Sequence, residues 1–190
     1  RAELSGPIGD GRIDRLITDI SAASRLEAEL SRVRPQPVDL GELVAGMTSA
    51  KLSVGPWRRD VRLETSVPPP GTAMVLADAD RISQVVGNLI DNALSFSPGG
   101  STITVQVQGG AQIVELCVAD EGPGVPPELR DAIFERFYSE RPGHETYGGH
   151  SGLGLSIARA IVEAMDGRIR VEDRADGRPG AVFHVLLPAL

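Results

Sequence analysis

The segment Asp120-Glu-Gly-Pro-Gly124 places a carboxylate just ahead of two glycines, directly after the apolar run Ile113-Val-Glu-Leu-Cys-Val118. A carboxylate at a strand end accepts a hydrogen bond from an exocyclic amino group such as that of adenine, and Gly122 and Gly124 let backbone lie flat against a base. Further on, Gly148-Gly-His-Ser-Gly-Leu-Gly154 runs into an apolar helical pattern. Backbone N–H groups at a helix start attract anions, and glycine permits close approach. Upstream, Asn88 and Asn92 stand one helical turn apart in Asn88-Leu-Ile-Asp-Asn92, so both amides leave one face. A neutral amide oxygen suits magnesium that already carries phosphate oxygens and water. Each signal has a plainer reading. Asparagines cap or bond locally, Asp-x-Gly-x-Gly occurs in ordinary turns, and the glycine run is weak alone. Phe134 and Phe137 either pack in a core or anchor the polar, glycine-containing segment 139–150, which has the composition of a lid. In this order, the four signals describe a pocket for adenine, phosphate and a divalent ion.

The elements that would position them are set by periodicity. Ile13, Leu16, Ile17, Ile20, Ala23, Leu30 and Val33 form one apolar stripe, predicting an amphipathic helix over 13–33 that Arg34-Pro-Gln-Pro37 stops. Such a helix needs a partner for its stripe, either its own domain or a dimeric bundle. Asp39 with Glu42 reads as a capping box opening a helix through Leu43, Val44 and Met47. Strands are predicted over 62–67, 74–77, 101–107 and 112–119, with a hairpin at Gly109-Gly110. Asp80 reads as the cap of a helix to Ser95 with Ile82, Val85, Val86, Leu89 and Ile90 inward. Helices are also predicted over 128–134 and 153–165, the latter closed by Asp166-Gly167. Segments 168–172 and 181–187 make a final hairpin. Hairpins interleaved with helices predict an α+β fold, a two-layer sandwich of mixed sheet with helices on one face.

Bulk properties narrow the partners. A chain of 190 residues with 41% hydrophobic and only 4% aromatic residues can bury an aliphatic core. The segment through Arg34 is charge-neutral, so the net −7 belongs to residues 35–190 and argues against nucleic acid. Cys117, the single cysteine, reads as a small core residue, implying neither disulfide nor metal site. No apolar run approaches the ~20 residues that span a bilayer, so no direct membrane contact is expected.

Taken together, these residues resemble the N, G1, F and G2 boxes of the catalytic domain of bacterial sensor histidine kinases, the Bergerat ATP-binding fold shared with gyrase B, Hsp90 and MutL. Gly177-Arg-Pro-Gly-Ala-Val-Phe183 followed by Leu187-Pro188 is similar to the usual kinase ending. The resemblance covers roughly 39–188. The helix over 13–33 resembles the second dimerisation helix, in wording nearest the ChvG/ExoS-type envelope kinases. The resemblance divides the chain into two domains: 1–37 as part of a dimerisation segment, and 38–190 as the catalytic ATP-binding domain.

The resemblance implies ATP and Mg2+ as cofactors. Asn92 would be the main magnesium ligand, with Asn88 beside it. Asp120 would be the adenine acceptor, and Gly122, Gly124 and Phe96 would border the base. Ser151, Gly152, Leu153 and Gly154 would hold phosphates at the lid hinge. It also implies homodimerisation through the dimerisation helices, a response-regulator partner and a cytoplasmic location beneath an inner-membrane sensor.

Three departures stand out. The chain has no His-Glu/Asp-x-x-x-Pro acceptor box, and His144, His150 and His184 match no acceptor. The phosphorylated histidine is therefore expected outside this segment, which alone should not autophosphorylate. Ser95 stands where the family usually has a phosphate-binding lysine. Lysine scarcity does not explain this, since arginine could substitute; Arg141 in the lid, or Arg136, is the alternative source of charge. His150 and Ser151 replace a common Gly-Thr pair, and Ser151 keeps the hydroxyl. Ser95 also motivates a second reading, a non-catalytic nucleotide-binding module of the same fold. A hydrolytic Bergerat ATPase is a third, against which Asn88 argues, because those enzymes place a water-activating glutamate there.

Overall fold

The computed structural model describes residues 35–53, 60–136, 138 and 153–190. The helix expected over 13–33, the lid over 139–150, and Phe137, Arg141, His144, His150, Ser151 and Gly152 lie outside the described residues. Arg34–Leu190 forms one compact unit.

Among the described residues, seven strands and three α-helices build this unit. In chain order they are β1 (Gln36–Asp39), α1 (Leu40–Ser53), β2 (Arg62–Ser66), β3 (Met74–Ala77), α2 (Ala79–Phe96), β4 (Thr102–Gly109), β5 (Ile113–Ala119), α3 (Gly154–Glu163), β6 (Arg168–Asp173) and β7 (Ala181–Pro188). The main sheet runs β2-β4-β5-β7-β6, with β2 and β4 parallel and the other pairs antiparallel. This is the mixed sheet the sequence predicts, with both expected hairpins in place. Alternation sends Val114, Leu116 and Val118 of β5 and Phe183, Val185 and Leu187 of β7 inward. Against that face α2 buries Ile82, Val85, Val86, Leu89, Ile90 and Ala93. The five larger of these side chains, Ala93 set aside, contribute on the order of 10 kcal/mol on leaving water, before chain entropy is counted. Helix α3 packs on α2 and β6, and α1 packs on β2, so the helices share one face.

Four local expectations are corrected. The Pro-Gln-Pro segment holds a strand that the sequence did not predict: β1 pairs antiparallel with β3, Pro37 opposite Leu76. Proline is tolerated there because β1 is the edge strand, while the other side of β3 is bridged from Val75 to Ala189. Asp78, not Asp80, caps α2, its carboxylate accepting from the Asp80 and Arg81 N–H groups. The expected helix over 128–134 is two short 3₁₀ turns, Pro127–Leu129 and Ala132–Phe134. Cys117 is not in the core. It lies half-buried on the sheet face away from the helices, its thiol pushed up to about 11 by burial and then by Glu115.

Other caps match expectation. Asp39 Oδ1 accepts from Gly41 N at 2.9 Å and Glu42 N at 3.2 Å. At the end of α3, Asp166 takes φ 56° and Gly167 N donates to Val162 O at 3.0 Å, closing the helix as Asp166-Gly167 predicts.

Candidate functional site

Asp120 comes directly after the last residue of β5, where the ladder to β7 continues through Asp120 N donating to Ala181 O at 2.9 Å. Its side chain is buried, 3% exposed. Oδ1 accepts from Gly122 N at 2.8 Å and from Ala181 N at 3.2 Å. Among the described residues nothing donates to Oδ2, which leaves one acceptor for a ligand. Burial holds the Asp120 carboxyl above the usual carboxylate range, against the pull of the two N–H groups and Arg174.

The glycines of this turn have an internal reason to be glycine. A Cβ on Gly122 would stand 2.9 Å from Asp120 Oδ1 and 3.0 Å from Phe96 O. One on Gly124, at φ 80°, would stand 3.0 Å from Gly180 O. The turn is thus clamped between the end of α2 and the β6–β7 loop, which fixes the carboxylate. Phe96 is 42% exposed beside it.

Asn88, Asn92 and Phe96 fall at successive i, i+4 positions, one strip about 12 Å long on α2. At its far end Asn88 Nδ2 donates to Gly154 O at 2.9 Å, so the helix meets the first residue of α3. Facing a carbonyl, the amide must present nitrogen, which leaves Asn88 Oδ1 on the other side. Asn92 lies between, half-buried, and among the described residues its amide has no hydrogen-bond partner. Leu153 is buried ahead of α3. The described part of the predicted set therefore lines a single helix face, with the Asp120 turn at one end and the α3 start at the other.

The sequence reading missed Arg174. Its Nη1 donates to Asp120 O at 3.2 Å and lies 3.5 Å from Glu121 Oε1, and its Nη2 lies 2.7 Å from Asp176 Oδ2. Glu121 Oε2 in turn accepts from Thr102 N at 3.0 Å. The only sequence signal was the charged loop Asp173-Arg-Ala-Asp176, unremarkable by itself. Arg174 holds Asp176 down at about 2, the opposite displacement from Asp120. The signs differ accordingly. The Asp176 contribution is present above the ordinary carboxylate pKa and lost as pH falls to about 2. The Asp120 contribution is full below the ordinary pKa and lost as pH rises through its raised value. Arg174→Ala is expected to destabilise the domain by about 2 kcal/mol. Asp176 should return toward normal and Asp120 move further up, read by carboxyl-carbon NMR titration. Unmoved titrations would remove Arg174 from the site.

Residues 77–190 match the family described as histidine kinase-, DNA gyrase B- and HSP90-like ATPase, and the chain belongs to that family as an ATP-binding catalytic domain of the sensor-kinase class. It is 42% identical over 186 residues to the sensor protein ChvG of Agrobacterium fabrum, covering 94% of this chain and 31% of that protein. It is 36% identical over 191 residues to the histidine-protein kinase/phosphatase MprB of Mycolicibacterium paratuberculosis, covering 99% of this chain and 34% of that one. The chain thus spans about a third of the length of these relatives. Among solved structures, the mycobacterial sensor kinase MprB superposes with TM-score 0.65 at 34% identity, covering 81% of this chain and 97% of that chain. Full-length ShkA in complex with AMPPNP gives TM-score 0.67 at 26% identity, over 93% of this chain and 36% of that one. No described helix is long and apolar enough to cross a membrane.

Proposed function

We propose that this domain binds ATP with Mg2+ along the α2 strip and passes the γ-phosphoryl group to a histidine in another segment of its parent protein. The observation that carries the reading is the buried Asp120 carboxylate, whose Oδ2 no described residue bonds, at one end of a helix face whose middle holds the Asn92 amide. Asp120 Oδ2 accepts from the adenine amino group, while Gly122 and Phe96 border the base. Asn92 and Asn88 Oδ1 are neutral oxygen donors of the kind Mg2+ takes beside phosphates. The ion supplies charge neutralisation across the phosphate oxygens. Ser151, Gly152, Leu153 and Gly154 hold the phosphates, the N–H groups at the α3 start adding a positive dipole end. Arg141 adds charge from the lid. Catalysis on this plan is positioning rather than proton transfer. Asn88 fits that plan, since an amide whose nitrogen is held by Gly154 O cannot deprotonate water. The likeness to ShkA, solved with an ATP analogue, supports the nucleotide site.

For the parent protein we infer dimerisation through helices that include 13–33, a response regulator as the next phosphoryl acceptor, and a cytoplasmic location for this domain. Supplying a histidine-helix segment in trans with labelled ATP–Mg2+ tests the reading, and label should appear on its histidine. Nucleotide binding without any transfer would instead favour the regulatory module that Ser95 suggests. Ser95, exposed on the last turn of α2, gives a further expectation. Ser95→Lys should tighten ATP–Mg2+ binding about tenfold, one charged phosphate contact. A calorimetric titration showing no gain would mean the missing lysine is compensated elsewhere.

A further inference from the structure

The sheet face turned away from the helices carries a second cluster. Register places Cys117 of β5 opposite His184 of β7, and His184 opposite Arg170 of β6. The two-residue period adds Glu115 beside Cys117 and Glu172 beside Arg170. His184 Nδ1 lies 3.3 Å from Cys117 Sγ and 2.8 Å from Glu115 Oε1, and its Nε2 lies 3.6 Å from Glu172 Oε2. One ligand atom from each of Glu115, Cys117 and His184 falls within 4.8 Å of the others. Their setting is sheltered but reachable, with the His184 and Glu115 side chains 15% and 28% exposed.

We propose that Glu115, Cys117 and His184 form a binding site for a divalent transition ion of the zinc class, with water as fourth ligand. Bonds of about 2.0–2.3 Å at tetrahedral angles put neighbouring ligand atoms roughly 3.3–3.7 Å apart, and the sulfur–nitrogen separation already meets this. Only Glu115 must swing, from His184 Nδ1 to the ion. One sulfur, one imidazole nitrogen and one carboxylate select zinc-like ions over magnesium or calcium, which want oxygen alone. The second ring nitrogen lies 3.6 Å from Glu172 Oε2, just beyond hydrogen-bond reach, so a small shift of Glu172 would complete the carboxylate–histidine–metal arrangement that orients a ligating imidazole. Arg170 pairs with Glu172, and its Nη2 lies 4.0 Å from Glu115 Oε1. On binding, the Cys117 S–H bond breaks, the proton leaves to solvent and the sulfur pair goes to the ion. The dication and Arg170 then balance the thiolate and two carboxylates. The ion would clip β5 to β7 at positions leading directly to Asp120 and Ala181, the pair that anchors the other site.

Titrating the chain with Co2+ alone reports the site directly. A near-ultraviolet thiolate-to-cobalt band with strong visible absorption is expected, and Zn2+ should abolish both. Cys117→Ser and His184→Gln should each weaken binding at least tenfold, and Glu172→Gln about tenfold. The double variant His144→Ala/His150→Ala should keep the band, excluding the lid histidines as its source. Zn2+ should raise the melting temperature of the wild-type chain but not that of Cys117→Ser. No charge-transfer band, or one that survives unchanged in His184→Gln, overturns the site.

Discussion

Asp120→Asn is expected to weaken nucleotide binding by at least about 100-fold while the domain stays folded. The two backbone N–H groups from Gly122 and Ala181 both aim at Oδ1, so an asparagine must keep its oxygen there. Its nitrogen then occupies the Oδ2 position, and a donor faces the donating adenine amino group. Loss of a charge-assisted hydrogen bond and its replacement by a clash of like partners together come to roughly 3 kcal/mol or more. Stability should move the other way. Because burial raises the Asp120 pKa, the ionised carboxylate weakens the fold at neutral pH. The neutral amide should therefore melt at or above the wild-type temperature. The same geometry predicts selectivity, since guanine would bring a carbonyl oxygen to the carboxylate. Isothermal titration with an ATP analogue, paired with thermal melting, checks both halves. Undiminished affinity would refute the adenine assignment, and a lost fold would show Asp120 to be structural.

The parts of this site that were legible in the sequence are those whose geometry is local. Asn88 and Asn92 share a face because a helix repeats every 3.6 residues, and Asp120 sits at a strand end because apolar alternation stops there. Phe96 is placed by the same helix. Arg174 and Gly180 were not legible, because they reach Asp120 across the β6–β7 loop and only the folded ladder brings them there. The Asp78 and Asp80 ambiguity is of another kind. Both residue types cap helices, and the choice is made by β3 ending at Ala77, a boundary periodicity cannot resolve. The placement of Cys117 was recoverable: in Ile113-Val-Glu-Leu-Cys-Val118 the glutamate shares its parity, and a strand with Glu115 facing out must also turn Cys117 out. Reading the run as uniformly apolar hid that alternation, and with it the Glu115–Cys117–His184 cluster. The 3₁₀ turns over 127–134 show local propensity yielding to packing. Phe134 is buried edge-on against Phe183 with ring centroids 6.3 Å apart, which anchors the segment without a full helix.

Gly180→Ala should be the most damaging single methyl group that can be added near the site. Gly180 adopts φ 140°, which L side chains rarely enter, and its Cβ would stand 2.1 Å from Asp120 O and 2.6 Å from Arg174 Cδ. Arg174 can swing aside, but the Asp120 carbonyl cannot, because the same residue is laddered to Ala181 through both its N–H and its carboxylate. Relief therefore requires β7 to part from β5 at the point where Asp120 is held. Backbone strain and overpacking together set the cost at roughly 3 kcal/mol or more. Gly177→Ala is the natural control, since Gly177 has φ 70° but open space where a Cβ would go. There the left-handed conformation alone should cost about 1 kcal/mol. Denaturant unfolding should show both midpoints lowered with an unchanged slope, Gly180→Ala by much the larger amount. Nucleotide affinity should fall in Gly180→Ala and stay intact in Gly177→Ala, because only the former displaces the Ala181 donor from the Asp120 carboxylate. Equal destabilisation by the two substitutions would mean that the β5–β7 junction yields freely, and the carboxylate would then owe its position to the Gly122 turn alone.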